Sequence, residues 1–360
     1  MIRKLKEKKW LRVLCVLDAV LILLSAVCCG VMGWMAGQLP ALDAARRWRG
    51  ENEMRFTQVA CFLPITGTKT EEDIWSFRRT LDQRLVEAAV TAPKEGALWQ
   101  DAWSAPGKLS VHTDHGSAEA SVLGVGGDFF LFHPMQLRSG SFLKESDLMQ
   151  DRVVLDEELA WILFGSPNVA GLEVRIADKP FYVAGVIRRD EDFASRSAYR
   201  DGPGLFMSYS AMHALVDQGI TCYEIVVPDL ITGFGMHLVQ ENFPVGDGTL
   251  VENTGRFRPS RLLQVAGDYG VRSMGLNGVV CPYWENAVRM MEDYLAALLV
   301  LTMALSLLPF ATAVTAAVLA LWKLGRYAKQ KIPQAAEALV EQRKEQRFAE
   351  RQNNEHANVQ

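Results

Sequence analysis

Three places in the chain hold residue types that can do chemistry. In "VVLDEELAWILFGS", residues 153–166, Asp156, Glu157 and Glu158 are consecutive carboxylates. Two acids held close together can divide the work of a general acid and a general base. In "HTDH", His112, Asp114 and His115 are the one cluster of metal-ligand type. Asp18 stands alone in a long apolar stretch, and a carboxylate at such a position usually faces protein or water.

The elements around these residues decide what they can do. Asp156 follows the strand-like "RVVL", and Leu159, Ile162 and Leu163 give the next segment an apolar helical face. An Asp at the N-cap accepts helix N–H bonds, and two Glu in the first turn suit the positive end of the helix dipole. The acid run therefore reads as a helix start. On a strand, His112 and Asp114 share a face and His115 points away, a poor geometry for one ion that needs three or four converging ligands. There is no CxxC, no GxSxG elbow and no GxxxxGK[ST] loop. "GVGGDFF" has glycines but no following helix of dinucleotide type, so it reads as a turn. The residues predict no cofactor, no metal and no enzyme activity.

Asp18 belongs to "VLCVLDAVLILLSAVCCGVMGWMAG", residues 13–37, and is its only charge. A second stretch, residues 294–322, has none. About 20 apolar residues cross a hydrocarbon core of about 30 Å, so both predict membrane spans. The first runs longer than a signal-peptide core and predicts an uncleaved anchor. Arg3, Lys4, Lys6, Lys8, Lys9 and Arg12 precede the first span, and Lys323, Arg326, Lys329 and Lys331 follow the second. The positive-inside tendency places both ends in the cytoplasm. The expected organisation is a basic N-terminus (1–12), a first span (13–37), an extracytoplasmic domain (38–293), a second span (294–322) and a charged cytoplasmic tail (323–360).

The outer segment holds 24 Lys+Arg and 35 Asp+Glu, a net of −11, although the chain as a whole carries −4. An acidic domain between two basic feet argues against nucleic acid as a partner. Of six cysteines, Cys15, Cys28 and Cys29 lie in the first span, and Cys61, Cys222 and Cys281 lie outside it. Three outer cysteines cannot all pair within one chain, and spacing does not choose a pair.

Within the spans, Asp18 has two readings. One is snorkelling or a contact with Arg12; the other is a polar contact with another membrane helix. Pro309 predicts a kink, which can be a hinge or can absorb excess length. Tyr283, Trp284 and Tyr294 read as interface anchors, or as a stalk between outer domain and membrane.

Along the outer segment, residues 40–55 read as a continuation of the first helix. Residues 56–64 read as a strand. Residues 68–89 read as a helix, with Thr70 and Asp73 as a capping box and Ile74, Phe77, Leu81 and Leu85 as its stripe. "GALWQDAW", "KLSVHTDH" and "SAEASVLGV" read as strands separated by Gly and Pro turns. Residues 172–187 read as a hairpin, 204–216 and 222–244 each as a strand then a helix, 248–255 as a strand and 259–269 as a helix. The mixture lacks a regular βαβ rhythm, so the fold class is α+β.

The order "GVGGDFF", "LRSGSFL…D", "VVLDEELAWILFG", "GLEVRI" and "FYVAGVI" over residues 122–190 resembles the periplasmic core domain of MacB-type ABC transporter permeases. That group includes macrolide exporters and lipoprotein-release permeases. The resemblance implies a MacB-like α+β core between membrane helices. It also implies a non-catalytic permease-like subunit of MacB/FtsX type, which couples a ligand- or partner-binding outer domain to a separate ATPase or permease subunit, or to a second copy. The "KLGRYAKQK" segment with Lys323 and Arg326 would lie where such permeases meet their ATPase. Family members usually carry three spans after this domain, and only one follows here. The other reading is a stand-alone two-span receptor or scaffold.

Overall fold

The computed structural model describes residues 2–91, 97–189, 203–273 and 282–357. Its contacts divide it into an outer unit, 31–299, and a second unit of residues 1–30 with 300–360.

Among the described residues, the outer unit is built on one ten-stranded sheet. Its strands are β1 (Phe56–Phe62), β2 (Gln100–His112), β3 (Ser117–Gly127), β4 (Gln136–Gly140) and β5 (Arg152–Asp156). They continue with β6 (Glu173–Ile176), β7 (Lys179–Arg188), β8 (Gly204–Ser208), β9 (Cys222–Pro228) and β10 (Thr249–Glu252). The order across the sheet is β10-β1-β9-β2-β3-β8-β5-β7-β4, with β6 pairing β2 and β7. Only β3 with β8 and β5 with β7 run parallel among these pairs. The α+β class holds.

Both faces of the sheet are covered, which explains the unbroken apolar runs. Every residue of "FTQVACF" and "CYEIVVP" is buried, the pattern of strands packed on both sides. Val59 and Cys61 point into a cluster with Ile74, Phe77, Leu81 and Leu85, the stripe of helix Glu71–Glu87. Ala60 and Phe62 alternate to a second cluster with Ala44, Phe129, Phe132 and Trp284. That helix starts as its sequence predicts: Asp73 accepts from the Thr70 N–H at 3.1 Å.

Two expectations are corrected. Residues 40–55 do not prolong the first helix, which ends at Ala36; a short 3-10 turn Pro40–Asp43 and the helix Ala44–Arg49 follow. Gly37 and Pro40 punctuate the chain there, and proline supplies no N–H to a continuing helix. "GALWQDAW" and "KLSVHTDH" do not form separate strands. They join as β2, which runs through Pro106 and Gly107. On that side of β2, β9 pairs only Gln100–Ser104 and β6 only Val111–His112. Pro106 thus falls in the unpaired gap, where a missing ladder donor costs nothing.

The β6–β7 hairpin closes through Ala177 and Asp178, both at positive φ (49° and 60°), the backbone of a two-residue I′ turn. Gly140 ends β4 at φ +74°, and a Cβ there would lie 2.0 Å from the Ala184 carbonyl oxygen. The "LRSGSFL" loop therefore requires its glycine.

In the second unit, the described parts are helical. Helix Ile2–Ala36 and helix Tyr283–Ala357 each contain a segment long and apolar enough to cross a membrane. On the first, the half-buried residues up to Cys28 are Leu14, Asp18, Leu21, Ser25 and Cys28. Their alternating spacing of four and three is a heptad seam. On the second, the half-buried residues over the same stretch are Thr302, Leu305, Ser306, Pro309 and Thr312, again along one face. Ser25 Oγ and Ser306 Oγ meet at 3.2 Å, and Thr312 Oγ1 donates to Asp18 Oδ2 at 2.8 Å. Ascending positions on one helix meet descending positions on the other, so the pair is antiparallel.

Candidate coupling site

The opening turns of the C-terminal helix carry a buried cluster of charged residues. Arg256, just past β10, is fully buried. Its Nη1 and Nη2 donate to the two oxygens of Glu285 at 2.6 Å each, and its Nε donates to Glu292 Oε1 at 2.8 Å. Asn253 Oδ1 accepts a further bond at 3.1 Å. Arg289 Nε adds 2.9 Å to Glu285 Oε1, and Arg272 donates to Glu292 Oε2. Glu285, Arg289 and Glu292 recur at helical spacing on one face. Burial works to raise the Glu285 carboxyl, but the Arg256 and Arg289 guanidiniums outweigh it and hold the group below the ordinary range. A planar guanidinium can meet one carboxylate with two parallel bonds and still donate to a second, a geometry that an ammonium does not have.

Beside this cluster the same helix buries an aromatic anchor. Trp284 is 7% exposed. Its ring lies 4.4 Å from His133 and 5.7 Å from Phe129. His133 Nε2 meets Glu224 Oε2, and both residues are buried. Trp284 is thus part of the core and not an anchor at a membrane surface, which corrects the first reading of that residue. Tyr283 packs edge-on to it at 5.0 Å. Leu39, Leu262 and Val265 pack with Ala287, Val288, Met291 and Leu295 in a third cluster on the next turns.

A cleft of about 700 Å³ opens nearby, lined by Leu63, Val122, Leu205, Trp284, Asp156 and Arg189 among others. Asp156 does begin a helix: its Oδ1 accepts from the Leu159 N–H at 2.7 Å. It also does more. Oδ2 accepts from the Gly204 N–H and from Arg189 Nη2, both at 2.6 Å. Burial pushes its carboxyl above the ordinary range despite Arg189 and the two N–H donors. Glu157 turns to Arg138 at 3.4 Å, and Glu158 reaches the other terminal nitrogen of Arg189 at 3.9 Å, so Asp156 and Glu158 share a guanidinium and do not form an acid pair with each other. His112 ends β2, while Asp114 and His115 are exposed in the β2–β3 turn. Among the described residues no three His, Cys, Asp or Glu could hold a metal. Cys61 is buried, and that burial drives its thiol well up. Cys281 lies outside the described residues.

In the second unit Asp18 and Pro309, singled out separately by sequence, meet through Thr312. Its Oγ1 lies 2.8 Å from Asp18 Oδ2 and 2.9 Å from the Pro309 carbonyl oxygen. Asp18 thus meets a side chain of the second helix of its own chain, and Arg12 is exposed. Lys323 is exposed, and the Arg326 guanidinium lies 4.2 Å over the Trp322 ring.

Sequence reasoning missed Arg256, Glu285 and Glu292. The available signal was "WENAVRMME", in which charges at positions 285, 289 and 292 interrupt what is otherwise a buried helix face.

Residues 53–230, from the loop before β1 to just past β9, match the family described as MacB-like periplasmic core domain. This segment is a MacB-like periplasmic core domain. A macrolide export ATP-binding/permease protein, MacB 2 of Aeromonas hydrophila, is 32% identical over 145 residues. That alignment covers 39% of this chain and 21% of the relative, so the chain spans about a fifth of the curated protein it matches. Among solved structures, the periplasmic region of MacB from Actinobacillus actinomycetemcomitans aligns at 17% identity and a TM-score of 0.38, covering 55% of this chain and 88% of that one. The extracellular domain of the noncanonic ABC-type transporter YknZ from Gram-positive bacteria aligns at 13% identity and a TM-score of 0.35, covering 52% and 92%. The MacB-like core is thus flanked by two helices of membrane-spanning length and composition.

Proposed function

We propose that the chain is a non-catalytic membrane subunit of a MacB/FtsX-type ABC system. Its outer domain binds a ligand or partner protein, and its two helices pack against a permease subunit or a second copy. A separate subunit supplies ATP hydrolysis, since the sequence has no phosphate-binding loop.

The observation that carries this reading is the Arg256 cluster. It fastens the loop after β10 to Glu285 and Glu292, on the same helix that later holds Pro309 and Thr312. Coupling between sites is carried by packed and hydrogen-bonded contacts, and a buried bidentate ion pair with an aromatic anchor ties the β10 loop to the opening turns of that helix. The basic residues Lys323 and Arg326 follow the second span, at the side where an ATPase would dock.

The test is capture of the tagged full chain from native membranes in mild detergent, followed by mass spectrometry of what comes with it. An ATPase with a phosphate-binding loop, or a permease-like chain, is expected. Recovery of the chain with neither, together with ligand-dependent signalling in cells that lack any cognate ATPase, would instead make it a stand-alone receptor.

A further inference from the structure

Two short helices past β10 sit where the apolar stretches meet the outer unit. That unit runs from Val31 to Leu299, so it keeps the last turns of the first stretch, 13–37, and the opening turns of the second, 294–322. Leu262 and Val265 of helix Pro259–Gly267 share one apolar cluster with Leu295 and Ala296. Met32, Met35, Ala36 and Leu299 pack against the same cluster. All six of these partners belong to the two stretches. The next helix, Tyr269–Arg272, is held at the same level: Arg272 donates to Glu292 Oε2. Glu292 stands two residues, about 3 Å along the axis, before the uncharged stretch begins.

The two helices turn apolar side chains outward at that level. Leu262 and Val265 are used up in the cluster, but Leu263 and Tyr269 are exposed and Val271 is 85% exposed. Tyr294 on the C-terminal helix is an exposed aromatic at the same height. Tyrosines with apolar neighbours suit the boundary between hydrocarbon and headgroups. Charge does not oppose that placement. Residues 255–273 hold four Arg and one Asp, within an outer segment of net charge −11, so these helices lack the excess of acid that lipid phosphates would repel.

We propose that the helices Pro259–Gly267 and Tyr269–Arg272 form a lipid-contacting patch, with Leu263, Tyr269 and Val271 in the interface of the outer leaflet. Lipid is the occupant because the buried side of the same helices is continuous with the ends of both spans. Arg272 and the Arg256 cluster fasten the patch to the C-terminal helix. The patch lies outside residues 53–230, the segment that matches the MacB-like core. The proposal rests on reading the two apolar stretches as membrane spans.

The test uses the cysteine-free full chain in nanodiscs of phosphatidylcholine and phosphatidylglycerol, with one nitroxide label at a time. Electron paramagnetic resonance compares collisions with oxygen, which concentrates in lipid, and with a water-soluble nickel chelate. Labels at Leu263, Tyr269 and Val271 should favour oxygen, to a degree between a label at Leu301 in the second span and one at Leu148 on the outer domain, both exposed. Nickel access equal to that at Leu148 would overturn the proposal. So would loss of both collisions, which would mean that a protein surface, such as a second copy, covers the face. A water-like label at Leu301 would remove the membrane reading itself, whereas a lipid-like Leu301 with three water-like sites removes only the patch.

Discussion

Arg256 and Glu285 face each other as a buried fork: two parallel N–H···O bonds of 2.6 Å, from the loop after β10 to the first turn of the C-terminal helix. Neither side chain reaches solvent, so each charge depends on the other. Arg256→Ala would leave Glu285 with Arg289 alone and Glu292 with Arg272 alone, and removal of one partner from a buried pair costs about 3–5 kcal/mol. Thermal unfolding of the full chain should show a large loss. Arg256→Lys should recover only part of it, because an ammonium lacks the planar fork that meets Glu285 with two parallel bonds. Equal stability of wild type and the alanine variant would remove the cluster from the account.

The same pair fixes a pH dependence. Glu285 is held below its ordinary value in the folded state because Arg256 and Arg289 outweigh its burial. A group whose folded pKa is depressed adds stability that is complete above its unfolded pKa, about 4.3, and is lost as pH falls through the folded value. The stability advantage of wild type over Glu285→Gln should therefore be constant at neutral pH and shrink only in acid below that range. Denaturant melts of both proteins over an acid series measure it, and an advantage that grows in acid would reverse the sign.

Asp156 holds three donors: the Leu159 and Gly204 N–H groups and Arg189. Asp156→Ala removes a helix cap worth about 0.5–2 kcal/mol and leaves a further donor unsatisfied at about 1–3 kcal/mol. Asp156→Asn keeps an acceptor for the cap and should cost less. Urea midpoints of the three proteins should fall in the order wild type, Asn, Ala.

Much of the fold was legible because its signals are local. The stripe Ile74, Phe77, Leu81 and Leu85, the Asp156 cap and the β6–β7 turn each depend on a few neighbouring residues. The continuity of β2 was not, since whether Pro106 breaks a strand depends on which neighbours reach it across the sheet. The Arg256 cluster shows the same limit. Arg256 and Glu292 stand 36 positions apart, and only tertiary packing reveals that their charges are buried together. Trp284 misled for a related reason: an aromatic next to an apolar span looks like an interface anchor, whereas here it fills a core beside Phe129 and His133. Asp18 and Pro309 stood out as isolated anomalies, but Thr312, which joins them, carries no signal of its own.

The antiparallel seam predicts a specific cross-link. Ser25 Oγ and Ser306 Oγ lie 3.2 Å apart, a separation compatible with the side-chain reach of a disulfide. In a background without native cysteines, Ser25→Cys with Ser306→Cys should oxidise within one chain in intact membranes. Leu23→Cys with Ser306→Cys should not, because Leu23 is exposed and lies two residues, about 200°, round the helix from Ser25. Efficient cross-linking of the second pair would contradict the seam.

The central claim, that the chain serves an ABC system whose ATPase is a separate subunit, is tested most directly by site-specific photocross-linking in living cells. A photoreactive residue at Lys323 or Arg326, both exposed, should yield an adduct with an ATPase that carries a phosphate-binding loop, and one at Leu148 in the outer domain, also exposed, should not. Adducts from Lys323 and Arg326 confined to lipid and to other copies of this chain would contradict the account.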